Sequence, residues 1–357
     1  MASTPRENLL SLYKKTGYCH APVSFELCPS KVLEFCEKTG ETEKSYMEYF
    51  DFPEIYVNDL EFAAVDRSAY LPYFKKHSDN IRIDKWGVGY EKGSEACAHM
   101  EHFLHPMKDF AALGEFEGYP YPAYLTADAG HIMKEVHAIH ARGYAAKASM
   151  ACTVWEIAWY LRSMEQLMSD MILDKDLAEY HLDRITEISC HRAAVFAKAG
   201  VDIILTGDDV GMQDTLMMSE AMYCEWIKPR FAKIIAAAKS ANPGVLIEYH
   251  SCGYVEPLIP HFIECGIDIL NPIQPECMDF GTLFKRHGRE ISFKGTLGIQ
   301  TTMPFGTPDD VRSVVKKNLD IAGPAGGLFC CPTHMIEPEV PWENIEAYIG
   351  ACRSYTP

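Results

Sequence analysis

From about residue 120 to its end the chain alternates short apolar runs with long amphipathic stretches, and no other feature constrains its fold as strongly. The runs Asp202–Leu205, Val245–Tyr249, Ile267–Leu270, Ile291–Lys294 and Gly327–Cys330 are mostly β-branched or continuously apolar, as strands covered on both faces must be. Ala123–Leu125 and Ala145–Met150 read as two more, and a segment near Pro22–Glu26 brings the number to eight. Helical patterns separate them over Val154–Asp174, Asp176–Lys198, Ser219–Ser240, Pro257–Cys265, Pro308–Ala322 and Trp342–Arg353, many opened by Ser, Thr or Pro. Eight strands with intervening helices predict an α/β protein of the (β/α)8 TIM-barrel class. The alternative, a doubly wound open sheet, lacks its Gly-rich phosphate loop after the first strand.

The chain has 357 residues, no internal repeat and no Pro/Gly/Ser linker, so residues 1–357 are expected to form a single domain. Residues 1–120 then include an N-terminal arm and lid. Its segment DKWGVGYEKGSEACAHMEHFLHPM, rich in Gly and His, is expected to lie over the barrel mouth.

Composition removes several functions. A net charge of −17 with no compensating basic patch argues against nucleic acid and anionic membrane surfaces as partners. No stretch of about 18 uncharged apolar residues occurs, which excludes a membrane-spanning helix and predicts a soluble, cytoplasmic protein. Thirteen cysteines, an odd number, then point to buried thiols and metal ligands instead of a disulfide framework.

In a parallel barrel the reactive side chains come from the C-terminal ends of strands and the loops after them. Three such places follow apolar runs: ILTGDDVG, IEYHSCG and GGLFCCPTH. His250 and Cys252 are two residues apart, so in an extended segment both fall on one side and can grip one ion between imidazole nitrogen and thiolate sulfur. With 14 His and 13 Cys, about half an H-x-C is expected from composition alone, so the pair gains its weight from its place at a strand end. The last strand offers Cys331 and His334 as a third ligand, and a catalytic zinc wants three protein ligands and an open position. The competing reading puts Cys330 in the core and gives His334 only a loop hydrogen bond.

Successive residues on a strand point to opposite faces, so one of Asp208 and Asp209 is expected to face the site. Asp208 is the catalytic candidate, orienting substrate or a ligand-bound proton, and Asp209 a substrate-binding one, with helix capping by Asp209 as the alternative. His131, His137 and His140 read as surface or packing residues, and Met217, Met218 and Met222 as a core stripe.

The blocks TPRENLLSLYKKTGY, GDDVG, YHSCGYVEPLIPHFIECGIDILNPIQPE and GGLFCCPTHMIEPEVPWENIEAYIGA span nearly the whole chain. Together they resemble the uroporphyrinogen decarboxylase superfamily, and within it the zinc methyltransferases that work with corrinoid proteins. The resemblance implies a His-x-Cys zinc pair, matched by His250 and Cys252, and a later cysteine ahead of an I-x-P-x-x-P-x-E-N-I run. Alignment on Ile336, Pro338, Pro341, Glu343, Asn344 and Ile345 puts His334 at that cysteine, so His334, or else Cys331, becomes the third ligand. The coenzyme M branch has a glutamate ligand where this chain carries Ile273 and Gln274, with Glu276 just beyond. The decarboxylases hold porphyrinogen carboxylates with N-terminal arginines, whereas APVSFELCPS supplies Glu26 and no arginine. Glu26, Asp209, Gln274 and Glu276 are accordingly the substrate-binding candidates.

The function implied is transfer of a methyl group from a small methoxylated substrate, an aromatic methyl ether, to the cob(I)amide of a separate corrinoid (cobalamin) protein, with zinc as the resident metal. The resemblance also admits a uroporphyrinogen decarboxylase-type reaction and methyl transfer from methylcorrinoid to a thiol. A non-catalytic binding barrel is a third class, and a homodimer is compatible with all of these.

Overall fold

The structure, a computed structural model, describes residues 3–43, 45–62, 65–74, 81–91 and 101–357. Its frame is one curled parallel sheet of seven strands in chain order: β1 (Glu54–Tyr56), β2 (Ala145–Ala151), β3 (Ile203–Gly207), β4 (Leu246–His250), β5 (Ile269–Asn271), β6 (Ser292–Lys294) and β7 (Leu328–Phe329). From β2 onward each strand is followed by helical segments, and this βα repetition makes every neighbouring pair parallel.

The eighth stave is the extended segment 21–27, which closes the side between β7 and β1. It does so with a parallel bridge, Leu27 to Ile336, instead of a ladder. A side chain supplies the missing bonds. The Tyr348 hydroxyl accepts from the Ser24 N–H at 3.2 Å and lies 3.1 Å from the Cys330 carbonyl. Phe25 packs edge-on against Phe52, just before β1, at 4.9 Å. The barrel is therefore sealed by aromatic packing where backbone pairing runs out.

Two expectations are corrected. Ala123–Leu125 is no stave: Tyr124–Thr126 forms a 3₁₀ turn, because Pro120 and Pro122 deprive the segment of backbone donors. The stave in its place is β1, concealed in the sequence by its three-residue length and by Glu54 pointing inward. The helical stretch Val154–Asp174 is in fact two helices, Trp155–Arg162 and Met164–Leu173, broken at Ser163 with φ of 73°. Arg162 at the break pairs with Asp170 and donates to the carbonyls of Met107, Lys108 and Phe110, tying the arm to the barrel.

That arm carries a small antiparallel sheet, Arg82–Ile83, Gly89–Glu91 and His102–Leu104. Phe103 stacks on Tyr160 at 4.5 Å, which sets the sheet at the C-terminal end of β2. The stretch 92–100 of the expected lid lies outside the described residues. No described helix is long and apolar enough to cross a membrane.

Inside the barrel the apolar pattern is interrupted by one charged layer. Lys147 on β2 donates to Glu54 at 3.1 Å and to Glu248 at 2.7 Å; Lys294 on β6 lies 2.6 Å from Glu54 and 3.5 Å from Glu248. All four residues are buried. Burial alone would raise the Glu54 carboxyl, but the two ammonium groups outweigh it and hold it down at about 2.

Candidate metal centre

The turn after β3, GDDVG, and the turn after β4, HSCG, lock together because glycine lets their backbones touch. A Cβ on Gly211 would come within 2.6 Å of the Cys252 carbonyl oxygen. Gly253 sits at φ of 81°, and a Cβ there would lie 2.5 Å from the Met212 oxygen. The Tyr254 N–H donates across to Met212 O at 2.7 Å, and the Val210 N–H to Ser251 Oγ at 3.1 Å.

This clasp brings Asp209, His250 and Cys252 together, with one ligand atom from each lying within 4.8 Å of the others. His250 Nε2 is 3.4 Å from Cys252 Sγ and 3.9 Å from Asp209 Oδ1, while the Cys252 N–H donates to Asp209 Oδ1 at 2.7 Å. Asn271 determines the imidazole tautomer. Its Nδ2 donates to Lys294 O at 3.2 Å, so its Oδ1 must accept from His250 Nδ1–H, 2.6 Å away. The Nε2 lone pair is then directed at Cys252 and Asp209. Nitrogen, sulfur and carboxylate oxygen so arranged suit a divalent zinc ion, and the outer hydrogen bond to Asn271 is the kind that orients a ligating histidine. Burial keeps the Cys252 thiol well above its ordinary range, so metal uptake would displace a proton from sulfur.

The two neighbouring aspartates end in different surroundings. Asp208, the catalytic candidate, is fully buried, and its carboxylate accepts from the N–H groups of Thr153, Val154 and Glu156 at 2.9–3.1 Å, capping the helix after β2. Burial pushes it up to about 7 against the pull of those donors. Asp209, the expected substrate binder or cap, is the one that meets His250 and Cys252.

A cavity of about 660 Å³ opens beside His250. Phe25, Tyr46, Phe52 and Tyr56 give it aromatic walls; Glu54, Glu248 and Lys294 of the charged layer also face it, and among the described residues no arginine lines it. Glu26, Cys331 and His334 line it too. Cys331 is buried beside Lys294, and His334 is exposed at the rim; neither belongs to the Asp209, His250, Cys252 group. Gln274 accepts from the Gly253 N–H and so braces the HSCG turn, while Glu276 takes a 2.8 Å bond from Thr301 and faces a separate groove. Cys330 is in the core, His131 bonds Asp59 O, His140 pairs with Asp202, and Met217 accepts from the Trp155 indole, all packing roles.

Sequence reasoning missed Asn271 and Glu156. Glu156 Oε2 accepts from the Asp209 N–H and Oε1 bonds Tyr160 at 2.8 Å; burial, then Asp208 and Asp209, raise its carboxyl to about 8. A glutamate on the first turn of the helix after a barrel strand was a legible signal.

Comparison with known proteins yields a family model, uroporphyrinogen decarboxylase (URO-D), matching residues 85–355. Among solved structures, a methyltransferase from Methanosarcina mazei superposes with a TM-score of 0.69 at 19% identity, covering 98% of each chain. A B12-independent methionine synthase from Shewanella sp. W3-18-1 gives a TM-score of 0.42 at 14% identity, covering 62% of this chain and 64% of that one. Comparison with curated proteins finds no match.

Proposed function

We propose that this chain, which belongs to the uroporphyrinogen decarboxylase family, is a methyltransferase that holds zinc on Asp209, His250 and Cys252 and moves a methyl group from a small aromatic methyl ether to the cob(I)amide of a separate corrinoid protein. The observation that carries this reading is the His250 Nε2 lone pair, freed by Asn271 and facing a thiol and a carboxylate at the edge of an aromatic-walled cavity. Bound zinc would supply a Lewis acid for the ether oxygen. In the transfer the electron pair of the C–O bond stays on oxygen, and the corrinoid cobalt(I) supplies the pair that captures the methyl carbon. Phe25, Phe52 and Tyr56 pack the ring, and Glu156 keeps a proton beside Tyr160 at neutral pH. His250 and Asp209 remain 27% and 37% exposed, which leaves an approach for the carrier. Porphyrinogen decarboxylation fits less well, since its polyanionic substrate would meet Glu26, Glu54 and Glu248 without an arginine on the described cavity wall.

Metal analysis of protein purified without added zinc tests the site. The wild type and His334→Ala are expected to carry close to one zinc per chain, and Asp209→Ala and His250→Ala far less. Methyl transfer from a methoxyarene to cob(I)alamin should fall with the metal. Undiminished metal and transfer in His250→Ala would remove the zinc reading, and turnover of uroporphyrinogen without methyl transfer would replace the reaction.

A further inference from the structure

The short helix Trp155–Arg162 is held at its two ends by different parts of the molecule. At its first turn Asp208 accepts from the N–H groups of Val154 and Glu156, and Glu156 Oε2 accepts in return from the Asp209 N–H at 3.1 Å. At its last turn the helix meets the arm. Phe103 stacks on Tyr160, His105 Nδ1 lies 2.8 Å from the Tyr160 carbonyl, and the Met107 N–H donates to Leu161 O at 2.9 Å. Tyr160 joins the two ends, because its ring carries Phe103 while its hydroxyl donates to Glu156 Oε1 at 2.8 Å.

A two-turn helix is about 12 Å long, and WEIAWYLR has neither Pro nor Gly at which a kink could absorb movement. Displacement at the arm therefore reaches the turn after β3. There the Asp209 side chain is 37% exposed, so packing does little to fix it, and its place beside His250 depends on where its backbone is held. Glu156 is the residue that holds it, through the Asp209 N–H.

We propose that Glu156 and Tyr160 are positioning residues that couple the metal centre to the arm: the arm sheet, seated on Tyr160, keeps Asp209 beside His250 and Cys252, and a zinc ion bound there holds the arm in its seat. The proposal rests on zinc being held by Asp209, His250 and Cys252 as inferred above. Such coupling is reciprocal, so the factor by which losing the arm contact weakens zinc is also the factor by which zinc favours the seated arm.

Two measurements on the whole chain test this, neither of them activity. The first is zinc affinity by competition with a chromophoric chelator. Glu156→Ala is expected to bind zinc about tenfold more weakly, the low end for loss of an outer partner of a metal site, and Phe103→Ala about fivefold more weakly although it lies in the arm. Glu156→Gln keeps an oxygen that accepts from the Asp209 N–H and should restore most of the loss. The second is amide hydrogen exchange at residues 102–104 with and without zinc. Zinc should slow it about fivefold in the wild type and leave it unchanged in Glu156→Ala. Amides in the last turn of the helix Pro308–Ala322, which follows β6 on the far side of the barrel from β2, open by local fraying and should not respond. Unchanged zinc affinity in Phe103→Ala, even with a lower urea midpoint, makes the arm contact merely structural and overturns the proposal, as does wild-type arm exchange that ignores zinc. Should an alanine variant not fold, Tyr160→Phe keeps the ring for Phe103, removes the hydroxyl that reaches Glu156, and decides in the same terms. A wild type that binds no zinc removes the zinc reading and this inference together, whereas zinc bound equally well by the wild type, Glu156→Ala and Phe103→Ala removes this inference alone.

Discussion

Asp208 and Asp209 are neighbours of the same type, and they end in opposite situations. Alternation along a strand correctly requires that only one face the site. Which one is decided by the turn after β3, where Gly211 meets the Cys252 backbone, and no residue-level pattern in GDDVG carries that information. The His-x-Cys pair was legible because its geometry is local; its carboxylate partner and Asn271 were not, because both arrive from other strands. Glu156 gives this scale its prediction. Its carboxyl stands at about 8 in the folded chain against an ordinary 4.5, so between those values the native state holds the proton that the unfolded chain has lost. Unfolding free energy therefore falls as pH rises through that window, and Asp208, raised to about 7, adds to the same slope. In chelator-treated protein, Glu156→Gln should match the wild type in urea denaturation below about pH 4.5 and exceed it in stability at pH 8. A variant less stable than wild type at pH 8 would contradict the assignment.

At the level of elements, the barrel class was readable because parallel strands covered on both faces leave continuous apolar runs, and β3 to β7 fall within or beside the expected stretches. The segment near Pro22–Glu26 was also readable and lies within the stave at 21–27, although it pairs through a single bridge. β1 was not, because its three residues do not develop the length on which a period can be recognised. Prolines at 120 and 122 explain the misplaced strand, since an apolar YPYPAYL looks strand-like while lacking donors for a ladder. Beside the Leu27–Ile336 bridge and the aromatic packing, the hydroxyl of Tyr348 contributes side-chain hydrogen bonds to the closure. Removing it in Tyr348→Phe takes away the oxygen that accepts from the Ser24 N–H, at a cost of about 1–3 kcal/mol. Urea denaturation should show that loss, and hydrogen exchange should quicken selectively at Ser24. Loss of protection spread evenly over all strands would mean that the hydroxyl does not act locally at the closure.

On the scale of the whole molecule, the interior layer of Glu54, Lys147, Glu248 and Lys294 joins β1, β2, β4 and β6 across the barrel axis. Lone charges in AAKAS, IEYH and SFKG were visible in the sequence, but nothing there placed them at one depth. Lys147→Met strips both glutamates of a shared partner while leaving them buried, and should destabilise the fold by about 3–5 kcal/mol in denaturant titration. A loss below about 1 kcal/mol would mean that solvent reaches the layer. The arrangement also bears on how such a barrel can diverge. Because each member compensates two of the others, single replacements pass through an interior with an unmatched charge, whereas exchanging the set for apolar residues at one stroke need not. In descendants of this chain these four positions should be inherited or abandoned as a block, at a pace unrelated to that of the loops around them.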